Sequence, residues 1–113
     1  PFRIGRFDDI WSGLVAKVFL DQISGYILNG FPLCMHNKAP RSTFKDVVAE
    51  APGYESNEYL SDILGGITFN SNSAIEITRT IANILMEKGR TEFLRYCGKY
   101  LNKYAELMEV IWE

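Results

Sequence analysis

Two hydrophobic rhythms run along the chain. Over residues 9–28, Ile10, Trp11, Leu14, Val15, Val18, Phe19, Ile23 and Ile27 cover most of a helical circumference. Only Gly13, Lys17, Asp21 and Ser24 form a polar stripe. A helix that is apolar almost all round packs on several sides, so this segment is expected to be the central element. Asn29-Gly30 should close it, with Gly30 in the left-handed conformation that follows a helix.

The second rhythm is at the C-terminal end. Ser73 and Glu76 have the spacing of a capping box. Ile77, Ile81, Ile84 and Leu85 then continue a helix that Gly89 closes. Thr91 caps a longer helix whose Phe93, Cys97, Tyr100, Tyr104, Leu107 and Ile111 step by 4, 3, 4, 3 and 4, the seam of an antiparallel helix pair or coiled coil.

The middle is more broken. Thr43 with Asp46 starts a short helix carrying Phe44, Val47 and Val48, which Ala51-Pro52-Gly53 interrupts. A second short helix over 58–64 carries Tyr59, Leu60, Ile63 and Leu64 and stops at Gly65-Gly66. Residues 1–7 read as a short strand or extended arm, and 31–36, with Pro32, as a short strand. The predicted class is mainly α, or α+β with one or two short strands. Residues 1–113 form a single domain, with 73–113 as a helical hairpin tail. Without βαβ alternation these residues cannot build a complete dinucleotide-binding sheet.

Composition changes this picture little. A chain of 113 residues, 47% apolar and 23% charged, is globular. It can bury roughly 65% of its unfolded surface, enough for one core. The net charge of −2 is spread without a basic stripe, which argues against nucleic-acid binding. No apolar run reaches the ~18 residues of a membrane span. Cys34 and Cys97 lie outside any C-x-x-C or Cys/His cluster. That argues against structural zinc and for free thiols in a cytoplasmic protein. The chain starts at Pro1 without a methionine, so a cut or processed N-terminus is expected.

The candidate chemistry starts at Asp8 and Asp9, adjacent acids at the head of the first helix. One carboxylate suffices as an N-cap facing the positive end of the helix dipole. The second is left for general-base work, a metal or a sugar hydroxyl. Trp11 is either a core anchor or a platform for the apolar face of a sugar. Gly13 allows close packing or close approach of a substrate. His36, the only histidine, is either hydrogen-bonded structure or a metal ligand, and Lys38 has the charge to neutralise a phosphate. No Gly-rich phosphate loop and no nucleophile elbow is present. Tyr96, Tyr100 and Tyr104 fit packing or a partner face better than a binding box.

Two of these stretches together resemble a family. RFDDIWSG (residues 6–13) and, after Gly30-Phe31-Pro32, MHNKA (residues 35–39) are similar in order and spacing to motifs of the reversibly glycosylated polypeptides, the UDP-arabinopyranose mutase family. That family carries R-[FY]-D-D-[MI]-W-[AS]-G and later W/M-H-S-K-A. Asn37 departs from its usual serine. The motif resemblance covers about residues 5–60.

It implies a nucleotide-sugar fold of the GT-A type, of which these residues would be the helical C-terminal, acceptor-side portion. Asp8 and Asp9 would be the catalytic acidic pair. Trp11, Gly13 and Lys38 would be substrate contacts. His36 would be the metal or diphosphate ligand, with Mn2+ or Mg2+ as cofactor of the complete enzyme and none required in this chain. The expected partner is a nucleotide sugar, a UDP-sugar, bound with an N-terminal half that carries the D-x-D motif. The isolated chain is expected to be inactive as a glycosyltransferase or mutase. Two alternatives stay open. One is a non-catalytic helical module, with a homo-oligomer formed through the C-terminal helices. The other is a small metal-binding regulator using Asp8, Asp9 and His36.

Overall fold

The computed structural model describes residues 7–31 and 42–112, apart from the side chain of Asp8. Four helices follow one another: α1 (Asp8–Gln22), α2 (Thr43–Gly65), α3 (Ala74–Lys88) and α4 (Glu92–Trp112). The mainly α expectation holds, and no strand occurs among the described residues. Of the stretches expected as strands, 1–7 and 31–36, only Phe7 and Phe31 are among the described residues, and neither is in a strand.

The core is centred on α3 and α4, the most extensive helix contact among the described residues, and takes in Phe7, Trp11, Leu60 and Leu64 from the first half. Ile77, Ile81, Ala82 and Leu85 of α3 are sealed against Leu94, Ala105 and Met108 of α4. The buried stripe of α4 is Leu94, Gly98, half-buried Leu101, Ala105 and Met108. It has the expected 4, 3, 4, 3 rhythm shifted by one residue. Gly98 explains the shift, because a Cβ there would lie 2.7 Å from the Ala82 carbonyl oxygen and 2.8 Å from Met86 Cγ. Small residues let the two backbones meet, and the expected seam of Tyr100, Tyr104, Leu107 and Ile111 is left exposed.

The ends of these helices follow local chemistry, with one correction. The Thr91 hydroxyl accepts from the Leu94 amide at 3.2 Å and caps α4. Ser73 holds the N-cap position of α3, but its hydroxyl makes no capping bond. Glu76 does not complete a capping box. It pairs instead with Arg79 at 3.0 Å, and Arg79 reaches across to Glu109 of α4 at 2.7 Å. Arg79 thus joins a local ion pair to an interhelical one.

The first half departs further from expectation. α1 ends at Gln22, not near residue 28, and Gly30 is not its cap. Ser24 takes the left-handed conformation (φ 56°). Its amide donates to the Asp21 carbonyl at 3.2 Å and the Gly25 amide to Leu20 at 2.7 Å, the paired bonds of a Schellman ending. Nor is α1 a central helix. Phe7 and Trp11 are buried at its start, whereas Leu14, Val15, Val18 and Phe19 are only half-buried and Ile10 is exposed.

α2 runs through Pro52 as one helix instead of two. Proline removes one backbone donor and normally breaks a helix. Here Gly53, Ser56, Leu60 and Leu64 form a continuous buried stripe that holds the turn from its C-terminal side. The Phe7 ring lies where a Gly53 Cβ would be and meets Tyr54 edge-on at 5.2 Å. Ser42, one residue before the expected Thr43, holds the N-cap, its hydroxyl accepting from the Lys45 amide at 3.5 Å.

Candidate functional site at the start of the first helix

The site is built outward from Phe7. This residue occupies the N-cap position of α1 but has no side-chain oxygen to cap with. It is buried for another reason: its ring sits on Gly53 and contacts Trp11, one turn on, at 5.4 Å. The Trp11 amide closes that turn onto the Phe7 carbonyl at 2.8 Å. The other neighbour of Trp11 is Phe93 of α4, with ring centroids 5.0 Å apart. A three-ring stack therefore pins the head of α1 to α2 on one side and to α4 on the other. Sequence reasoning missed Phe7, although its four-residue spacing from Trp11 is a helical pairing signal.

This stack puts Asp8 and Asp9 in the first turn of the helix, past the cap position. Asp9 is exposed, and its Oδ1 accepts from the Ile10 amide at 2.8 Å. The exposed carboxylate is thus held at the positive end of α1, where negative charge is favoured. Gly13 is exposed one turn further on, and a Cβ there would meet nothing within 4 Å. Packing among the described residues gives no reason for its being a glycine.

Trp11 is 7% exposed and flanked by the Phe7 and Phe93 rings. This geometry makes it a largely buried anchor beneath the acidic turn. Its Nε1–H is buried and has no hydrogen-bond partner among the described residues. His36 and Lys38 lie outside the described residues, as does Cys34. Among the described residues, no group of three or more His, Cys, Asp or Glu is placed to hold a metal ion. Those residues therefore do not fit a divalent ion by themselves.

Beside the stack, an apolar groove of about 830 Å³ opens between α1 and α4, floored by α3. Trp11, Val15 and Phe19 line one wall and Cys97, Tyr100 and Tyr104 the other. Burial pushes the Cys97 thiol above its ordinary pKa. Tyr96 donates to the Tyr100 hydroxyl at 2.9 Å, and this bond raises the Tyr96 pKa. The expected seam of α4 is thus partly a groove wall.

The described residues thus present an acidic helix start on an aromatic anchor, beside an open apolar groove. The chain is 29% identical over 111 residues to probable UDP-arabinopyranose mutase 4 of Arabidopsis thaliana, and 30% identical over 112 residues to UDP-arabinopyranose mutase 2 of the same plant. Each match covers 96% of this chain and 29% of the relative. The resemblance to the UDP-arabinopyranose mutase family, carried in the sequence by RFDDIWSG and MHNKA, therefore extends along almost the whole chain. The chain spans less than a third of the length of the curated relatives it matches. No family model matches the chain, and no solved structure matches it significantly. No helix among the described residues is long and apolar enough to cross a membrane.

Proposed function

We propose that the chain is the C-terminal, acceptor-side part of a nucleotide-sugar-dependent mutase or glycosyltransferase with a GT-A-type nucleotide-binding half, working in the cytoplasm. The observation that carries this reading is the match along 96% of the chain to two UDP-arabinopyranose mutases. The acidic turn supports it, since Asp9 presents a solvent-facing carboxylate at a rigidly anchored helix start.

In this reading Asp8 and Asp9 orient or deprotonate a sugar hydroxyl. Gly13, exposed with open space above it, lets the sugar approach α1 closely. Trp11 serves from beneath, fixing the turn through Phe7 and Phe93. Lys38 and His36 face the diphosphate. A divalent cation, Mn2+ or Mg2+, supplies charge neutralisation at the diphosphate of the complete enzyme. Its ligands, with His36 among them, come from outside the described residues. The substrate is a UDP-sugar, held mainly by the remainder of the protein.

The test is Asp9→Asn in the longer protein. Loss of sugar transfer or ring interconversion, with the fold unchanged, supports the reading. Unchanged activity together with a stability loss of about 1 kcal/mol assigns the residue to helix-end electrostatics alone.

One observation favours a second, non-catalytic role. At the distal end of α4, Leu107, Val110, Ile111 and Trp112 are all more than half exposed. This end of the helix suits a homo-oligomer contact, which light scattering at rising concentration would detect.

A further inference from the structure

Asn29-Gly30 loses its expected structural role in the fold. α1 ends at Gln22, the chain turns at Ser24, and no glycine among the described residues takes a positive φ. The pair is therefore neither a helix cap nor the tight turn that Asn-Gly ordinarily makes. Residues 26–31 form no helix or strand, and Asn29 and Gly30 are exposed between the exposed Leu28 and Phe31. Among the described residues, neither the Asn29 side chain nor the Gly30 amide has a hydrogen-bond partner. A Cβ at Gly30 would meet nothing within 4 Å.

We propose that Asn29-Gly30 is a site of spontaneous covalent conversion, in which the Gly30 backbone nitrogen closes a succinimide ring on the Asn29 side chain. The nitrogen gives its proton to a hydroxide or buffer base and attacks Cγ of Asn29. The N–Cγ bond forms, the Cγ–Nδ2 bond breaks, and the side-chain nitrogen leaves as ammonia. Water then opens the ring. Addition at Cγ gives aspartate. Addition at the main-chain carbonyl gives isoaspartate, whose chain runs on through the former side chain. The net change is water taken up and ammonia released, with no change of oxidation state. Ring closure needs non-helical backbone torsions and a nitrogen free of hydrogen bonds. Glycine adds torsional freedom and has no Cβ to bar the approach.

The other described asparagines lack this freedom. Asn57, Asn83 and Asn102 lie inside helices, where the following amide is committed to the helical ladder. Asn72 Oδ1 accepts from Gln22 Nε2 at 2.8 Å, and the Ser73 amide donates to the Ser71 hydroxyl at 3.0 Å. Asn70 precedes a serine, whose Cβ hinders the ring. The structure therefore ranks Asn29 first. Its conversion adds a carboxylate to a chain of net charge −2. The isoaspartyl form also lengthens the backbone between α1, which carries the acidic turn, and the stretch with His36 and Lys38. That link thus changes with the age of the molecule.

The protein that carries these residues, at its native length, is held folded in mildly alkaline buffer. Samples taken over time are digested at low pH and read by mass spectrometry for replacement of the amide NH2 by OH. Methyl transfer from S-adenosylmethionine by an isoaspartyl carboxyl methyltransferase reports the isoaspartyl product. Conversion at Asn29 should run at least tenfold faster than at Asn72, with isoaspartate in excess of aspartate. Gly30→Ala, whose methyl group has room, should slow it at least tenfold with the circular dichroism unchanged. Gln22→Ala should speed conversion at Asn72 and leave the Asn29 rate unchanged. Conversion at Asn29 no faster than at Asn72, or unaltered by Gly30→Ala, overturns the proposal. Conversion that appears only after unfolding in urea also overturns it, because the pair would then be held in the native protein. Should Gly30→Ala fail to fold, the comparison of Asn29 with Asn72 in the wild type decides alone.

Discussion

The two halves of this molecule hold their helices by different means. α3 and α4 lie against each other along a continuous stripe, with Gly98 and Ala105 bringing the backbones close and Ile77, Ile81, Leu85 and Leu94 filling the space between. α1 and α2 are joined chiefly through one aromatic stack at Phe7 and Trp11, and much of their remaining apolar surface is exposed. The difference is between a hairpin packed closely along its length and a pair of helices that reach the same core through Phe7, Trp11, Leu60 and Leu64 but leave much apolar surface exposed. The candidate catalytic residues belong to the unfinished half. This fits a site that is completed from outside.

The comparison can be broken at several depths. The largest effect is expected at Ile81, 1% exposed on α3. Ile81→Ala should cost about 2–5 kcal/mol in urea unfolding. Ile10→Ala, at a site 48% exposed on α1, should cost less than about 0.5 kcal/mol. Equal losses would erase the distinction between the halves.

Gly98→Ala comes next. Helix propensity alone gives alanine an advantage of roughly 1 kcal/mol. The new methyl group would crowd the Ala82 carbonyl and Met86, and overpacking of that kind costs about 1–3 kcal/mol. A net loss is expected, and a gain would mean that the α3–α4 contact is looser than described.

Ser24→Gly acts on the other half and in the other direction. Relieving a left-handed serine should stabilise the end of α1 by about 1 kcal/mol. A destabilised variant would show that Ser24 is not held at positive φ.

The smallest effect is a pH dependence. Burial raises the Cys97 pKa, so the folded state favours the neutral thiol. That contribution is complete below about pH 8.5, the ordinary thiol value, and is lost as pH rises through the folded value. The thermal midpoint of the wild type should therefore fall more steeply above that pH than the midpoint of Cys97→Ala. Parallel curves would remove Cys97 from a partly desolvated wall.

Much of the C-terminal hairpin was legible in the sequence, because its signals are local. Ser73, Gly89 and Thr91 fall at helix boundaries as expected, Thr91 through its capping hydroxyl and the other two by position. The burial stripe of α4 was misread by one residue. Periodicity counts large apolar side chains, whereas this interface is made by the absence of side chain at Gly98. The same limit hid the continuity of α2. Pro52 signals a break locally, and only the packing of Phe7 onto Gly53, 46 positions away in the chain, shows why the helix persists. At the candidate site, the Asp8-Asp9 pair and its helix start were readable. The burial of Trp11 between Phe7 and Phe93 was not, since it depends on where α4 lies.

The most direct test of the central claim is native-state hydrogen exchange on the 113-residue chain. Backbone amides of Ile81 and Leu85 in α3 should be protected about 100-fold more than those of Val15 and Phe19 in α1, a difference of about 2.7 kcal/mol in opening free energy. Equal protection of the two helices would contradict the account, because α1 would then be finished by the residues of this chain alone.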